Sequence, residues 1–205
     1  GTSYARIDLN WLESDDNSSY AILLDANLAN VDGNLTAYWR FAEDSSSRAF
    51  DSSNNLRHLY FGDGTSASFP SRAKGGIGSA LSFDGSNDYA TISSDTVLEM
   101  DHNFTIAAWI KTTAAGTILG KGNVLTNDGF DFNVNPRIAP AGYVSLTTAA
   151  SGNKTQVSSG NYDLLDNKWH FVAVVFDSTY KHARFFIDGK FENLRTTKDE
   201  SSVQM

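Results

Sequence analysis

Apolar and polar positions alternate in short runs along this chain, and clusters of Gly, Asn, Asp and Ser cut one run from the next. A two-residue period predicts β-strands with one face turned to a core. FTIAAWIKT (Phe104 to Thr112) sets Phe104, Ile106, Ala108 and Ile110 on one face and Trp109 on the other. Burial on both faces suits an inner strand of a sandwich. TAYWRFAE (Thr36 to Glu43) reads as a strand with Tyr38 out of phase with Trp39 and Phe41, and GTILGKG, GFDFNV and YVSLTTA follow as further runs. ALSFDG and DYATISS flank a polar turn carrying Asp84, Asn87 and Asp88. The clearest pair is WHFVAVVFDST (Trp169 to Thr179) with ARFFIDGKFEN (Ala183 to Asn193), where Asp188-Gly189 is a two-residue hairpin signal because Gly accepts positive φ. No window of helical length keeps the helical period, and LLDANLANV (Leu23 to Val31) is the one candidate short helix. Many short strands without βαβ alternation predict an all-β, two-sheet antiparallel sandwich with few or no helices.

Composition narrows the partners. The 205 residues carry 24 acidic against 16 basic side chains, a net charge of −8, and the basic ones are scattered. That pattern offers no groove for a phosphate backbone, so nucleic acid is not an expected partner. Cysteine is absent, which excludes a disulfide framework and thiolate metal sites. The longest apolar run, FVAVVF (Phe171 to Phe176), is too short to span a bilayer, so membrane insertion is not expected either. No leader pattern opens the sequence, and an export signal is expected to lie outside it. Sequons stand at Asn17, Asn34, Asn103 and Asn153, which matter only for a secreted eukaryotic chain.

The order of LTAYWRFAED, AFDSSNN, GGIGSALSFDGSNDYATI, FTIAAWIKT, DNKWHFVAVVFD and ARFFIDGK resembles the laminin-G-like jelly rolls. These belong to the concanavalin A-like lectin/glucanase superfamily, near the pentraxin-like modules. The resemblance runs from about Leu35 to Asn193. It implies two curved antiparallel sheets stacked as a jelly roll, usually calcium-stabilised, that bind glycans or proteins through loops or a concave face. It also implies a domain of residues 35–205 that lacks the family's usual final strand. Residues 1–34 then form an extension. Its segment YARIDLNWL (Tyr4 to Leu12) alternates as that missing strand would, and three readings stand: it fills the edge position of this molecule or a neighbour, it is the tail of a preceding repeat, or it caps the sandwich separately.

Calcium is the cofactor this resemblance favours, and calcium needs about six to eight oxygen ligands. The first-choice metal site is the Asp51-Ser-Ser-Asn54-Asn55 loop with Glu43 nearby; it matches the family's Asp-x-Ser-Gly-Asn-like loop, with Asn54 in place of the glycine. The second choice is Asn127-Asp128-Gly129, which by order resembles part of the pentraxin calcium site. The competing reading of both is an Asx turn, in which Asp and Asn bond their own backbone without metal.

No catalytic residue is assigned. The superfamily's glucanases carry a Glu-x-Asp-x-x-Glu run on one strand, which projects acid and nucleophile to the same side. Only Glu13, Glu43, Glu99, Glu192 and Glu200 occur here, and none forms that run. His58, His102, His170 and His182 are dispersed without zinc spacing, with His170 read as structural. Glycan binding needs aromatic faces and fixed polar groups; the loop-placed aromatic candidates are Tyr60, Phe61, Tyr143, Tyr162 and Tyr180.

The leading expectation is therefore a non-catalytic extracellular recognition module that binds a glycan or cell-surface glycoprotein with calcium. Neighbouring domains of a larger chain go with that expectation, since such modules often accompany secreted enzymes. The alternatives are a protein–protein adhesion repeat of a surface or matrix protein and a glucanase-type hydrolase.

Overall fold

The structure is a computed structural model that describes residues 10–11, 22–23, 35–43, 47–53, 55–92, 103–123, 128–136, 142–150, 153–160, 162–177, 179–180 and 182–196. Among these the chain is all-β, with fifteen strands, one 3-10 turn at Ser66–Ser68 and no α-helix. It divides into two compact units, one of Tyr4–Ala73 and Ser79–Ser93, the other of Gly1–Ser3, Lys74–Gly78 and Ser94–Met205.

In the N-terminal unit β1 (Asn10–Trp11) pairs with β2 (Ile22–Leu23). The rest of the 1–34 extension and the LLDANLANV segment, apart from Leu23, lie outside the described residues, and so does the edge-filling reading of Tyr4 to Leu12. A three-stranded sheet is built from β3 (Arg48–Ala49) and β4 (Leu59–Phe61), and its third strand follows the β5 (Ser71–Lys74) and β6 (Ser79–Ser82) pair as β7 (Ala90–Thr91). Alternation decides its faces. Ala49, Leu59 and Phe61 are buried together, and Trp39, Phe41, Phe69, Leu81, Ala90 and Ile92 pack on them. Phe61 meets Phe69 edge-on at 6.3 Å.

The strand expected over Thr36 to Glu43 is reduced to one isolated bridge, Trp39 to Asp51. Phe41 takes a φ of 55°, which ends the extended run, so its ring enters the core from an irregular segment rather than from a strand. The Trp39 indole Nε1–H is satisfied by the Arg57 carbonyl at 2.8 Å, so the half-buried ring leaves no orphan donor.

The C-terminal unit is the sandwich. One antiparallel sheet runs through β8 (Phe104–Ile110), β13 (His170–Asp177), β14 (His182–Ile187) and β15 (Lys190–Thr196). The other runs through β9 (Gly116–Asn123), β10 (Asp128–Pro136), β11 (Gly142–Ala150) and β12 (Asn153–Ser158). Their inner faces share one core. Ile106, Val172, Val174, Phe176, Phe185 and Ile187 come from the first sheet; Phe130, Phe132, Val134, Val144, Leu146 and Val157 come from the second. Phe104 stacks on Phe176 at 5.2 Å and joins the same core, as its phase in FTIAAWIKT predicts. Trp109 stands on the opposite face against Phe171 at 5.6 Å. The Asp188-Gly189 hairpin is present with both residues at positive φ, 50° and 76°.

The start of β13 is fastened by His170. Its ring contacts Asp188 Oδ2 through Nδ1 at 2.9 Å and Asp166 Oδ1 through Nε2 at 3.1 Å. Burial pushes the His170 pKa down, but the Asp188 and Asp166 carboxylates outweigh it and raise the pKa above its usual value. A raised folded-state pKa stabilises the fold fully below the unfolded value of about 6.5, and this is lost as pH rises through the folded value. With Asp188 43% exposed, solvent screening limits the gain to about 1 kcal/mol. The melting temperature of the wild type is therefore expected to fall as pH rises from about 6 to 9. A His170→Gln variant should lose most of that slope, and an equal slope in the variant would show that the ion pairs contribute nothing.

Candidate functional site

The first-choice metal loop folds as a hydrogen-bonded knot. Asp51 Oδ1 accepts the N–H groups of Tyr38 at 2.9 Å and Ser53 at 2.8 Å. Its Oδ2 accepts the Ser53 hydroxyl at 2.6 Å and the Arg57 N–H at 2.9 Å. An ionised carboxylate has about four lone-pair sites, and all are taken. Burial pushes the Asp51 pKa up, but the Ser53 hydroxyl and the Tyr38, Arg57 and Ser53 N–H groups outweigh it and hold the pKa below its usual value.

The neighbours are also engaged. Glu43 Oε1 accepts the Phe50 N–H at 2.7 Å, and Oε2 faces the Arg72 guanidinium at 3.6 Å, where a cation already stands. Asn55 spends its side-chain N–H groups on the carbonyls of Leu35 and Thr36. The two carboxylates as they stand do not fit a calcium ion: both Asp51 oxygens are filled by donors, and Glu43 Oε2, buried and without a hydrogen bond, faces the Arg72 cation. Asn54 lies outside the described residues. Of the second loop, Asn127 also lies outside them, and Asp128 is described only as the backbone that opens β10. No cluster of three His, Asp or Glu side chains among the described residues could hold a metal.

The same turn chemistry recurs. Asp84 Oδ1 accepts the N–H groups of Ser86 at 2.8 Å and Asn87 at 3.3 Å, and Asp88 Oδ2 accepts that of Asp84 at 2.9 Å. Asp63 takes the hydroxyls of Thr65 and Ser68, which hold its pKa at about 2. These are Asx turns. The aromatic candidates separate: Phe61 is core, Tyr143 and Tyr162 are half-buried, Tyr60 is exposed on β4, and Tyr180 is 70% exposed beside His182.

The arrangement best suited to recognition lies elsewhere, on the face of the β9–β12 sheet turned away from the core. Because Phe130, Phe132 and Val134 point inward, Asp131, Asn133 and Asn135 point outward. The register lays polar rows across the sheet. Gly120, Asp131, Thr147 and Gln156 form one; Thr117, Asn133, Ser145 and Ser158 form the next, beyond a bulge at Phe132/Asn133. Ser145 and Thr147 are buried as the floor, at 0% and 4% exposure, while Gly120 and Gln156 are exposed.

Hydrogen bonds order this face in one direction. The Asn135 and Gln156 amides donate to the Ser145 hydroxyl at 2.7 and 3.2 Å. Ser145 donates to Asn133 Oδ1 at 3.4 Å, and Asn133 Nδ2 donates to Asp131 Oδ2 at 2.8 Å. Each donor in such a chain polarises the next. The chain ends on Asp131, whose Oδ1 is buried and has no partner. A buried carboxylate oxygen without a donor is costly and calls for one. Gly120 adjoins it: a Cβ there would stand 3.3 Å from that oxygen, so the glycine keeps the neighbouring space clear.

This face was legible in FDFNVN and in YVSLT, where polar and apolar residues alternate along each strand. Reading those runs only for their apolar phase conceals it.

A family model described as concanavalin A-like lectin/glucanases superfamily, of the laminin G kind, matches residues 84–203, more than half of the chain. The chain belongs to this family. The match opens at the Asp84 turn and takes in β7 to β15, so the jelly-roll sandwich and the polar face lie within it. Laminin G-like domains are generally non-catalytic. No curated protein matches the chain. Among solved structures, an S-layer domain-containing protein (residues 221–444) from Clostridium thermocellum ATCC 27405 is similar at 21% identity. That likeness covers 82% of this chain and 79% of that one, with a TM-score of 0.48. No helix among the described residues is long and apolar enough to cross a membrane.

Proposed function

We propose that residues 35–205 form a non-catalytic, extracellular recognition module that binds carbohydrate on the outer face of the β9–β12 sheet. The observation that carries this is the directed chain from Gln156 and Asn135 through Ser145 and Asn133 to the unpartnered Oδ1 of Asp131. A sugar presents adjacent hydroxyls that donate and accept at once. A carboxylate beside amides, pre-ordered by their own hydrogen bonds, meets them with little reorganisation. Asp131 is also the lone carboxylate among the described residues of this face. Glycoside hydrolysis ordinarily needs two, which supports binding without turnover.

Calcium enters the proposal only through Asn127 and Asp128, and its support is the family resemblance. The outward face of the other sheet, with Phe191 54% exposed beside Phe186, favours the adhesion reading as the second choice.

A glycan array with the isolated protein tests both readings. Wild type is expected to bind a defined set of glycans, and Asp131→Ala with an unchanged melting temperature should weaken binding about tenfold or more. Equal binding by the variant would sink the assignment. Silence on glycans with capture of a cell-surface protein would put adhesion in its place. Release of reducing sugar would revive hydrolysis. A chelator arm with wild type decides the calcium part, where no change in binding or melting temperature would remove it.

A further inference from the structure

The polar face of the β9–β12 sheet is shaped as well as ordered. On β11, Val144 and Leu146 turn into the core, so Tyr143, Ser145 and Thr147 turn outward in a line. Exposure falls from the edges of the face to that line. Thr117 and Gly120 on β9 are exposed, Asp131 and Asn133 on β10 are half-buried, and Ser145 and Thr147 are buried. On the far side, Ser158 of β12 is half-buried and Gln156 is exposed. The face is a shallow trough along β11, with β10 and β12 as its sides.

Ser145 is the hub of the floor. The Asn135 amide reaches its hydroxyl from β10 and the Gln156 amide reaches it from β12, while the hydroxyl donates to Asn133 Oδ1. Being buried, Ser145 supports these amides and does not itself meet a ligand. An amide held through one N–H keeps its second N–H and its oxygen lone pairs for a sugar hydroxyl. One end of the trough differs in character. Asn135 pairs across the sheet with Tyr143, a half-buried ring. The adjoining Gly142 is fixed to Tyr162 by two backbone hydrogen bonds, at 2.6 and 2.8 Å, so Tyr143 stands on a backbone that is held in place. A partly open aromatic ring beside fixed amides suits a sugar, whose C–H surface packs on the ring while its hydroxyls bond to the amides. Four residues of strand separate Tyr143 from Thr147 and its partner Asp131, about 13 Å, or roughly three linked pyranose rings.

We propose that this trough takes a linear oligosaccharide laid along β11, with one sugar ring on Tyr143 and at least two further units over the Asn135, Asn133 and Gln156 amides toward Asp131. This rests on the reading of the face as a carbohydrate site and adds the class of ligand, an extended chain in place of a single terminal sugar. A monosaccharide covers one row of the sheet and meets either the ring or the far amides. A chain meets Tyr143 and Gln156 together, so each row it crosses adds contacts while the loss of translational and rotational freedom is incurred once.

Calorimetric titration of the whole chain with cello-, laminari-, xylo- and chito-oligosaccharides, each from the single sugar to the hexamer, tests it. In a series that binds, affinity is expected to rise at least about tenfold from the single sugar to the trimer. Tyr143→Ala should weaken trimer binding at least about fivefold, with the melting temperature as the control for folding. Tyr143→Phe should bind as wild type does, because the ring and not the hydroxyl makes the contact. Affinity that does not change with chain length overturns the proposal, and so does trimer binding that survives Tyr143→Ala. In either case, a loss of binding in Asp131→Ala would show that the face still holds a sugar, so the carbohydrate reading stands while the extended chain falls. Silence of the wild type on every series removes both.

Discussion

Replacing Asp51 with Ala is expected to destabilise the protein by about 3–5 kcal/mol, roughly a 10 °C fall in melting temperature. The side chain closes two remote stretches onto its own loop. Without it the N–H groups of Tyr38, Ser53 and Arg57 lose their acceptor, as does the Ser53 hydroxyl. Ser53 and Asp51 are buried, so water cannot fully replace what is lost. Asp51→Asn separates charge from geometry. Its amide oxygen can keep one pair of donors, but its NH2 must face the other pair, and the cost should be about half that of Ala. The penalty should be the same in millimolar calcium and in chelator. A penalty that shrinks in chelator would show that this carboxylate holds the ion after all. The lowered pKa gives the pH sign: the stabilisation is present above the unfolded value of about 3.9 and is lost as pH falls through the lower folded value.

The contrast between Asp51 and Asp131 shows what could be read from the sequence and what could not. Strand identity was legible wherever alternation was strict. Phe104 and Ile106 enter the core, Trp109 faces away, and Asp188-Gly189 turns with both residues at positive φ, as their patterns require. Thr36 to Glu43 alternated too, but the turn at Phe41 is set by the pieces that Trp39 and Asp51 hold together, which no local pattern encodes. For the candidate sites the difficulty is different. A run such as Asp51-Ser-Ser-Asn54-Asn55 reads equally as ligand set or as turn, because oxygen atoms serve both. The choice depends on where the N–H groups of Tyr38 and Arg57, outside the run, come to lie. Asp131 carries no local signature of its own. Its meaning comes from Asn133, Ser145 and Gln156 brought beside it by register, so it is visible only when the polar phases of neighbouring strands are laid against each other.

Gly129→Ala is expected to cost about 4 kcal/mol or more, and to weaken binding at Asp131 as well. Two effects combine at this position. Gly129 has a φ of +98°, which a residue with a Cβ adopts only with strain. A Cβ there would also overlap the Lys121 carbonyl oxygen and stand 3.0 Å from the Cα of Gly122, its cross-strand partner. Both obstacles are backbone, so no rotamer change relieves them. The strain must be released by parting β9 from β10. That would carry Gly120 away from Asp131, two residues further along, and disturb the end of the hydrogen-bonded chain. Gly64 supplies the control. It has a similar φ of +93°, but a Cβ there would meet nothing within 4 Å, so Gly64→Ala should cost only about 1 kcal/mol. Equal penalties would mean that the β9–β10 ladder yields without cost. A larger loss at Gly129, with weakened glycan binding, ties the stability of this hairpin to the site it carries.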